Sequence, residues 1–109
     1  MSERSAHIIS AFRSIVSPRG GDLAGYKPHE LAAAVIKKLL HHAGLDADQV
    51  DEIIVSNALG AGGNPARLVA LASGMPQRVA GLSIDRQCCG GLDALGLAQA
   101  MIQAGHAEA

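Results

Sequence analysis

Short runs rich in β-branched residues alternate with longer Ala- and Leu-rich stretches along this chain, and few architectures accept that order. The first run is HIISAF at residues 7–12, after which Ser17, Pro18, Arg19, Gly20 and Gly21 punctuate a loop. A helix follows. Pro28 suits its first turn, Glu30 its positive end and Gly44 its C-cap, while Leu31, Val35 and Leu39, joined by Ile36 and Leu40, recur at helical spacing. Residues 50–59 (VDEIIVSNAL) open with acidic groups and then run apolar through Ile53, Ile54 and Val55, as a strand covered on both faces does. Gly60, Gly62 and Gly63 make a loop, and residues 65–73 (PARLVALAS) make a short helix closed by Gly74. Residues 79–85 (VAGLSID) form a third strand, weakened by Gly81. Residues 88–104 form a third helix ended by Gly105, with Leu92, Leu95 and Ile102 as its buried stripe. Strand then helix, three times over, implies parallel strands joined by right-handed crossovers: a βαβαβα chain of the α/β class whose sheet needs helices on both faces.

At 109 residues the chain suits one domain with a core of its own. Hydrophobic residues make up 49% and aromatics 2%, so that core is built from Ala, Val, Ile and Leu, with Phe12 and Tyr26 the only aromatic residues of that class. A formal charge of -1 and so few stacking rings exclude recognition of single-stranded nucleic acid. No apolar run approaches the roughly 20 residues that span a bilayer, and residues 1–6 lead into a strand pattern rather than a secretory h-region. The expected location is cytoplasmic, with no membrane partner. Cys88 and Cys89 are neighbours and cannot staple distant segments, which suits a reducing compartment.

The segment DRQCCGGLDA, residues 85–94, places a cysteine where a strand turns into a helix. Unpaired backbone N–H groups and the helix macrodipole favour negative charge there, which is what a thiol needs to become a nucleophile. Arg86 would help if its side chain turned toward the sulfur. Gly90 and Gly91 remove bulk beside it, and the same amides suit an oxyanion. The structural alternative is that Cys88 and Cys89 are small buried residues at a helix start. A metal site is weaker, since no C-x-x-C spacing repeats. His41 and His42 are successive on a helix and point about 100° apart, a poor chelate, so both are read as solvated or capping. At the second loop-to-helix junction Asn64 is available as an N-cap and Pro65 as the first helical residue; Arg67 either contacts a substrate or subunit or makes a structural salt bridge, the latter being preferred. The loop at residues 60–63 lacks the Lys and Ser/Thr of a P-loop.

Taken in order, these segments resemble the start of the thiolase family, the acetyl-CoA acetyltransferases and 3-ketoacyl-CoA thiolases. AHIISAFRS resembles its first strand and following Arg, and KPHELAAAVIKKLLHHAGLDADQVDEIIVSNAL its first helix and second strand. NPAR and LASGMP match next. RQCCGGLDALGLAQAMIQAG resembles the segment in which a cysteine, small residues, Gly and Leu open a long helix. Asp85 stands near a usual Asn, Asp93 replaces a common Gln, and the loop at residues 60–63 is shortened, departures that bear on substrate range.

The resemblance implies a thiolase-like fold, with residues 1–109 as the N-terminal part of a domain built on a mixed sheet with helices on both faces, incomplete without a further segment or companion chain. It implies that Cys88 is the acyl-accepting nucleophile, with its backbone N–H a possible oxyanion donor, and that Cys89 is a spare thiol. The substrates would be coenzyme A thioesters, with CoA and acyl-CoA as partners and no permanently bound cofactor or metal. An activating His and a second Cys would come from beyond this chain, which alone should be inactive, of low stability or bound to a partner in a homo- or hetero-oligomer. Competing readings are a ketoacyl-synthase relative, a noncatalytic thiolase-like subunit or binding module, and a small redox or metal protein using the adjacent cysteines.

Overall fold

The computed structural model describes residues 3–60 and 62–109, and within them the chain runs αβαβα. Helix α1 spans Pro28–Ala43, strand β1 Glu52–Ser56, helix α2 Pro65–Ala72, strand β2 Ala80–Ile84 and helix α3 Gly90–Gln103. Each of the three helices expected from the spacing is present, within two residues of the expected ends.

The local chemistry explains where α1 begins and ends. The backbone N–H of Lys27 donates to Glu30 Oε2 at 3.2 Å, and Pro28 occupies the first turn, where its missing N–H costs nothing. At the other end Gly44 takes the left-handed conformation, φ 70°, its N–H donating to His41 O while Leu45 N–H reaches back to Leu40 O. That pair of reverse bonds is a Schellman closure, and a side chain at position 44 would strain it.

β1 and β2 pair in parallel, with Glu52 opposite Ala80 and Ser56 opposite Ile84. Side chains alternate between the faces of a strand, and the two faces of β1 meet different helices. Ile53 joins Leu40, Val50, Val69, Ala70, Met75 and Val79 in the buried core between the sheet, α1 and α2. Ile54 points the other way, across a groove walled by Ala94, Ala98 and Met101 of α3. Ala66 and Ala70 are fully buried, and their small size lets α2 sit close to the strands. The closest approach is at Gly81. A Cβ there would stand 2.5 Å from Arg67 N and 2.7 Å from Ala66 C, so the glycine read as weakening β2 is what admits the helix.

Two expectations fail. Residues 7–12 form no strand: no backbone hydrogen bond joins them to another described residue, and Ile8 and Ile9 are 77% and 64% exposed. An extended run becomes a strand only when a neighbour takes its N–H and C=O groups. Here one edge of β1 is held by β2, and no backbone bond joins residues 7–12 to either strand. The segment instead lies across the surface, pinned by its side chains. Arg4 donates from Nε to Ile102 O and pairs with Glu108, Ser10 Oγ lies 3.1 Å from His42 Nδ1, and Phe12 meets the His42 ring edge-on at 5.1 Å. His42 is exposed, as expected, and also supplies these two contacts. The second failure is the α3 stripe, where Leu92 and Leu95 are 75% and 55% exposed although Ile102 is half-buried. A two-stranded sheet is too narrow to cover the full apolar width of α3.

Two outcomes follow from this packing. Gly81→Ala drives a methyl group into the α2 backbone and lowers unfolding stability by about 2 kcal/mol or more, read by denaturant melts. Asp51 accepts N–H groups from Glu108 at 2.6 Å and Ala109 at 3.3 Å, with Arg78 nearby, and these bonds hold its carboxyl below the ordinary value of 3.8. A depressed carboxylate stabilises the folded state above its ordinary value and loses that contribution as pH falls through the folded one. Between about pH 5 and pH 2 the melting temperature therefore drops more in the parent than in Asp51→Asn.

Candidate active site

Because β1 and β2 are parallel, the segments that follow them, 57–64 and 85–89, leave from the same end of the sheet. In open parallel sheets ligands bind outside that carboxyl end. Asn57 N–H donates to Ile84 O at 2.9 Å and extends the pairing one step past the strands, bringing the two exits together.

The second exit carries the cysteines. Cys88 lies in a 3-10 turn over Gln87–Cys89, and α3 itself begins at Gly90, two residues later than expected. Cys89 N–H donates to Arg86 O at 3.1 Å and Gly90 N–H to Gln87 O, so the turn runs straight into the helix. Both thiols are free and exposed. Within this chain neither Cys88 nor Cys89 is packed into the core at the helix start.

Gly90 is buried, and the reason is steric. A Cβ at this position would collide with the Ser56 side chain, 2.7 Å from Ser56 Cβ and nearer still to its hydroxyl. Only a glycine lets the first turn of α3 rest on the last residue of β1, which fixes where Cys88 stands relative to the sheet. Gly91 meets nothing, so the helix entrance on that side is open.

Arg86 has an acidic partner in α3. Its Nε pairs with Asp93 Oδ2 at 2.6 Å, and Asp93 sits in the first turn of α3, where a negative charge complements the macrodipole. A left-handed Gln87, φ 52°, was not visible in the sequence; it is the one non-glycine residue with positive φ among those described. Side chains seldom adopt that conformation, and it directly precedes Cys88.

The junction before α2 behaves as expected at Asn64 and differently at Arg67. Asn64 Oδ1 accepts Arg67 N–H at 3.2 Å, its Nδ2 donates to Gly81 O, and Ser83 Oγ donates to Asn64 Oδ1 while accepting Ala66 N–H. Arg67 makes no salt bridge with a described residue; its guanidinium donates to the carbonyls of Gln77 and Val79. Those carbonyls lie just before β2 and need a donor, which is why the cation is spent on backbone. Among the described residues no three His, Cys, Asp or Glu side chains come together, and no helix is long and apolar enough to cross a membrane.

Parallel strands, helices on both faces and an exposed thiol at the carboxyl end define an α/β protein. Comparison with known proteins makes the class specific. Residues 6–109 match the model of the thiolase N-terminal domain. An acetyl-CoA acetyltransferase of Pseudomonas aeruginosa is 45% identical over 103 residues, covering 93% of this chain and 26% of that protein. The crystal structure of the Bacillus anthracis acetyl-CoA acetyltransferase superposes with a TM-score of 0.93 at 35% identity, over 97% of this chain and 27% of the other. An Ascaris suum thiolase in complex with coenzyme A superposes with a TM-score of 0.75 at 26% identity, over 80% and 23%. The chain belongs to the thiolase family and spans about a quarter of the length of the curated relatives it matches.

One consequence of the Gly90 contact is measurable. Gly90→Ala separates α3 from β1 and destabilises the chain by about 1–3 kcal/mol, with Cys88 alkylated at a changed rate in the same variant.

Proposed function

We propose that this chain supplies the nucleophilic cysteine of an acyl-transfer enzyme acting on coenzyme A thioesters, with Cys88 as the acyl acceptor. The supporting observation is that Cys88 is exposed at the carboxyl end of the parallel strands, at the entry of a helix seated on the sheet through Gly90, in a chain of the thiolase family. Cys89 is exposed as well, and the resemblance of RQCCGGLDALG to the family segment supports Cys88 rather than Cys89.

In the first half-reaction the Cys88 sulfur attacks the acyl-CoA carbonyl carbon. A new S–C bond forms, the bond from carbon to the CoA sulfur breaks, and the cysteine proton ends on the departing CoA thiol. In the second, a carbon nucleophile formed from another CoA thioester attacks the Cys88 thioester, making a C–C bond and returning the thiol. Thiolysis of a 3-ketoacyl-CoA is the same sequence reversed. Covalent capture splits one difficult step into two easier ones. The backbone N–H of Cys88, in the turn that leads into α3, is the oxyanion donor of this proposal.

Residues 1–109 are then the first part of a larger thiolase domain, and the base and the remaining oxyanion donors come from protein outside this chain. The apolar side chains left uncovered, among them Val16 at 90% and Leu59 at 96% exposure, support a partner surface and an oligomeric assembly. A cytoplasmic location and the absence of a permanently bound cofactor belong to the same proposal.

The test is to incubate the chain within its completed assembly with acetyl-CoA and weigh it intact. One acetyl group is gained by the parent and none by Cys88→Ser, while Cys89→Ser still takes it up. An adduct that survives Cys88→Ser, or no adduct at all, would favour a noncatalytic thiolase-like subunit.

A further inference from the structure

Three charged side chains around Cys88 have no part in the bond-making steps above, yet they are tied together across the turn that carries the thiol. Asp85 Oδ1 accepts the backbone N–H of Gln87 at 3.0 Å, closing a tight loop over Arg86 just before the cysteine. Gln87 is held there in the left-handed region at φ 52°, which a residue with a Cβ keeps only when its surroundings impose it. Arg86 reaches past Gln87, Cys88 and Cys89 to Asp93 in α3, 2.6 Å from Nε to Oδ2. Cys88 is therefore bracketed by a hydrogen bond on its N-terminal side and by an ion pair that spans it.

The ion pair is open to water, with the two side chains 70% and 38% exposed, so it adds little to global stability. Its consequence is geometric. Were Gln87 to relax into the right-handed helical region, the 3-10 turn would lose its present entry and the Cys88 side chain would swing about the axis of α3. Acyl transfer requires the sulfur, the carbonyl carbon and the oxyanion donors in one fixed relation, and a displacement near 1 Å costs on the order of a hundredfold in rate.

We propose that Asp85, together with the Arg86–Asp93 pair, forms a set of positioning residues that hold Gln87 left-handed and so aim the Cys88 thiol. The proposal rests on Cys88 being the acyl acceptor. The Asp85 bond needs one side-chain oxygen and no charge, so Asn at this position fulfils it and Ala does not.

The experiment uses the full chain carrying Cys89→Ser, so that a single thiol remains, and measures iodoacetamide alkylation of Cys88 by mass together with acetyl uptake from acetyl-CoA in the completed assembly. Asp85→Ala is expected to lower acetyl uptake about tenfold or more and to change the alkylation rate, with the melting temperature held. Asp85→Asn restores both rates close to the parent, and Asp93→Ala falls between them. Alkylation that is alike in all variants overturns the proposal whether or not an acetyl group is taken up, as does an Asp85→Asn variant as impaired as Asp85→Ala. Alkylation that follows Asp85 while no variant or parent is ever acetylated supports the clasp and overturns the acyl-acceptor reading instead.

Discussion

Every layer of this chain rests on β1, five residues whose two faces are committed to different helices. Ile53 is buried in the core shared by α1 and α2, and Ile54 and Ser56 turn toward α3. Because the period of a strand is two, shifting β1 by one residue would exchange these faces and leave neither helix a surface to sit on. The parallel pairing with β2 then aligns both strand exits at one end, and that alignment brings the turn carrying Cys88 to the carboxyl edge of the sheet. Two glycines complete the arrangement. Gly81 lets the α2 backbone approach β2, and Gly90 lets α3 approach the end of β1, so each helix is seated where a side chain has been removed.

What was legible in the sequence is what depends on near neighbours. The stripe through Ile36, Leu39 and Leu40, the Gly44 closure and the Asn64 cap with Pro65 behind it are settled within four or five residues, and all three stand in the structure. The strand at residues 7–12 had the composition of a strand, but its pairing depends on another segment arriving beside it, and composition carries no information on that. The exposure of Leu92 and Leu95 has the same origin: helical spacing states which residues share a face, and the width of the sheet decides how much of that face is covered. Arg67 was assigned the wrong partner because a cation has as much use for an orphan carbonyl as for a carboxylate, and only the fold brought Gln77 and Val79 within reach.

At the site, residue types were readable and conformations were not. Two adjacent cysteines before two glycines at a strand-to-helix transition left several readings open, and only the resemblance of RQCCGGLDALG to the thiolase segment points to Cys88. Nothing in the letters RQCC shows that Gln87 is left-handed, because that conformation is imposed by a bond from Asp85 and not favoured by glutamine itself. Arg86, a cation two residues before Cys88, pairs with Asp93. The departures from family pattern at Asp85 and Asp93, which as sequence bore only on substrate range, turn out to be the residues in contact with the turn.

Under the proposed function, a nucleophile held on the rim of a sheet divides the work of covalent catalysis between chain segments. The attacking atom, the helix entrance behind it and the backbone donors beside it are local, and a short βαβα unit can supply them. A base and a walled substrate channel cannot be built at the same spot by the same segment, since the thiol must stay open on the side from which the thioester arrives. The exposed thiol and the uncovered apolar faces of α3 and of residues 8–16 are therefore two aspects of one condition. Under the same proposal, surface that would cost solubility in a self-sufficient domain is where the rest of the site is placed.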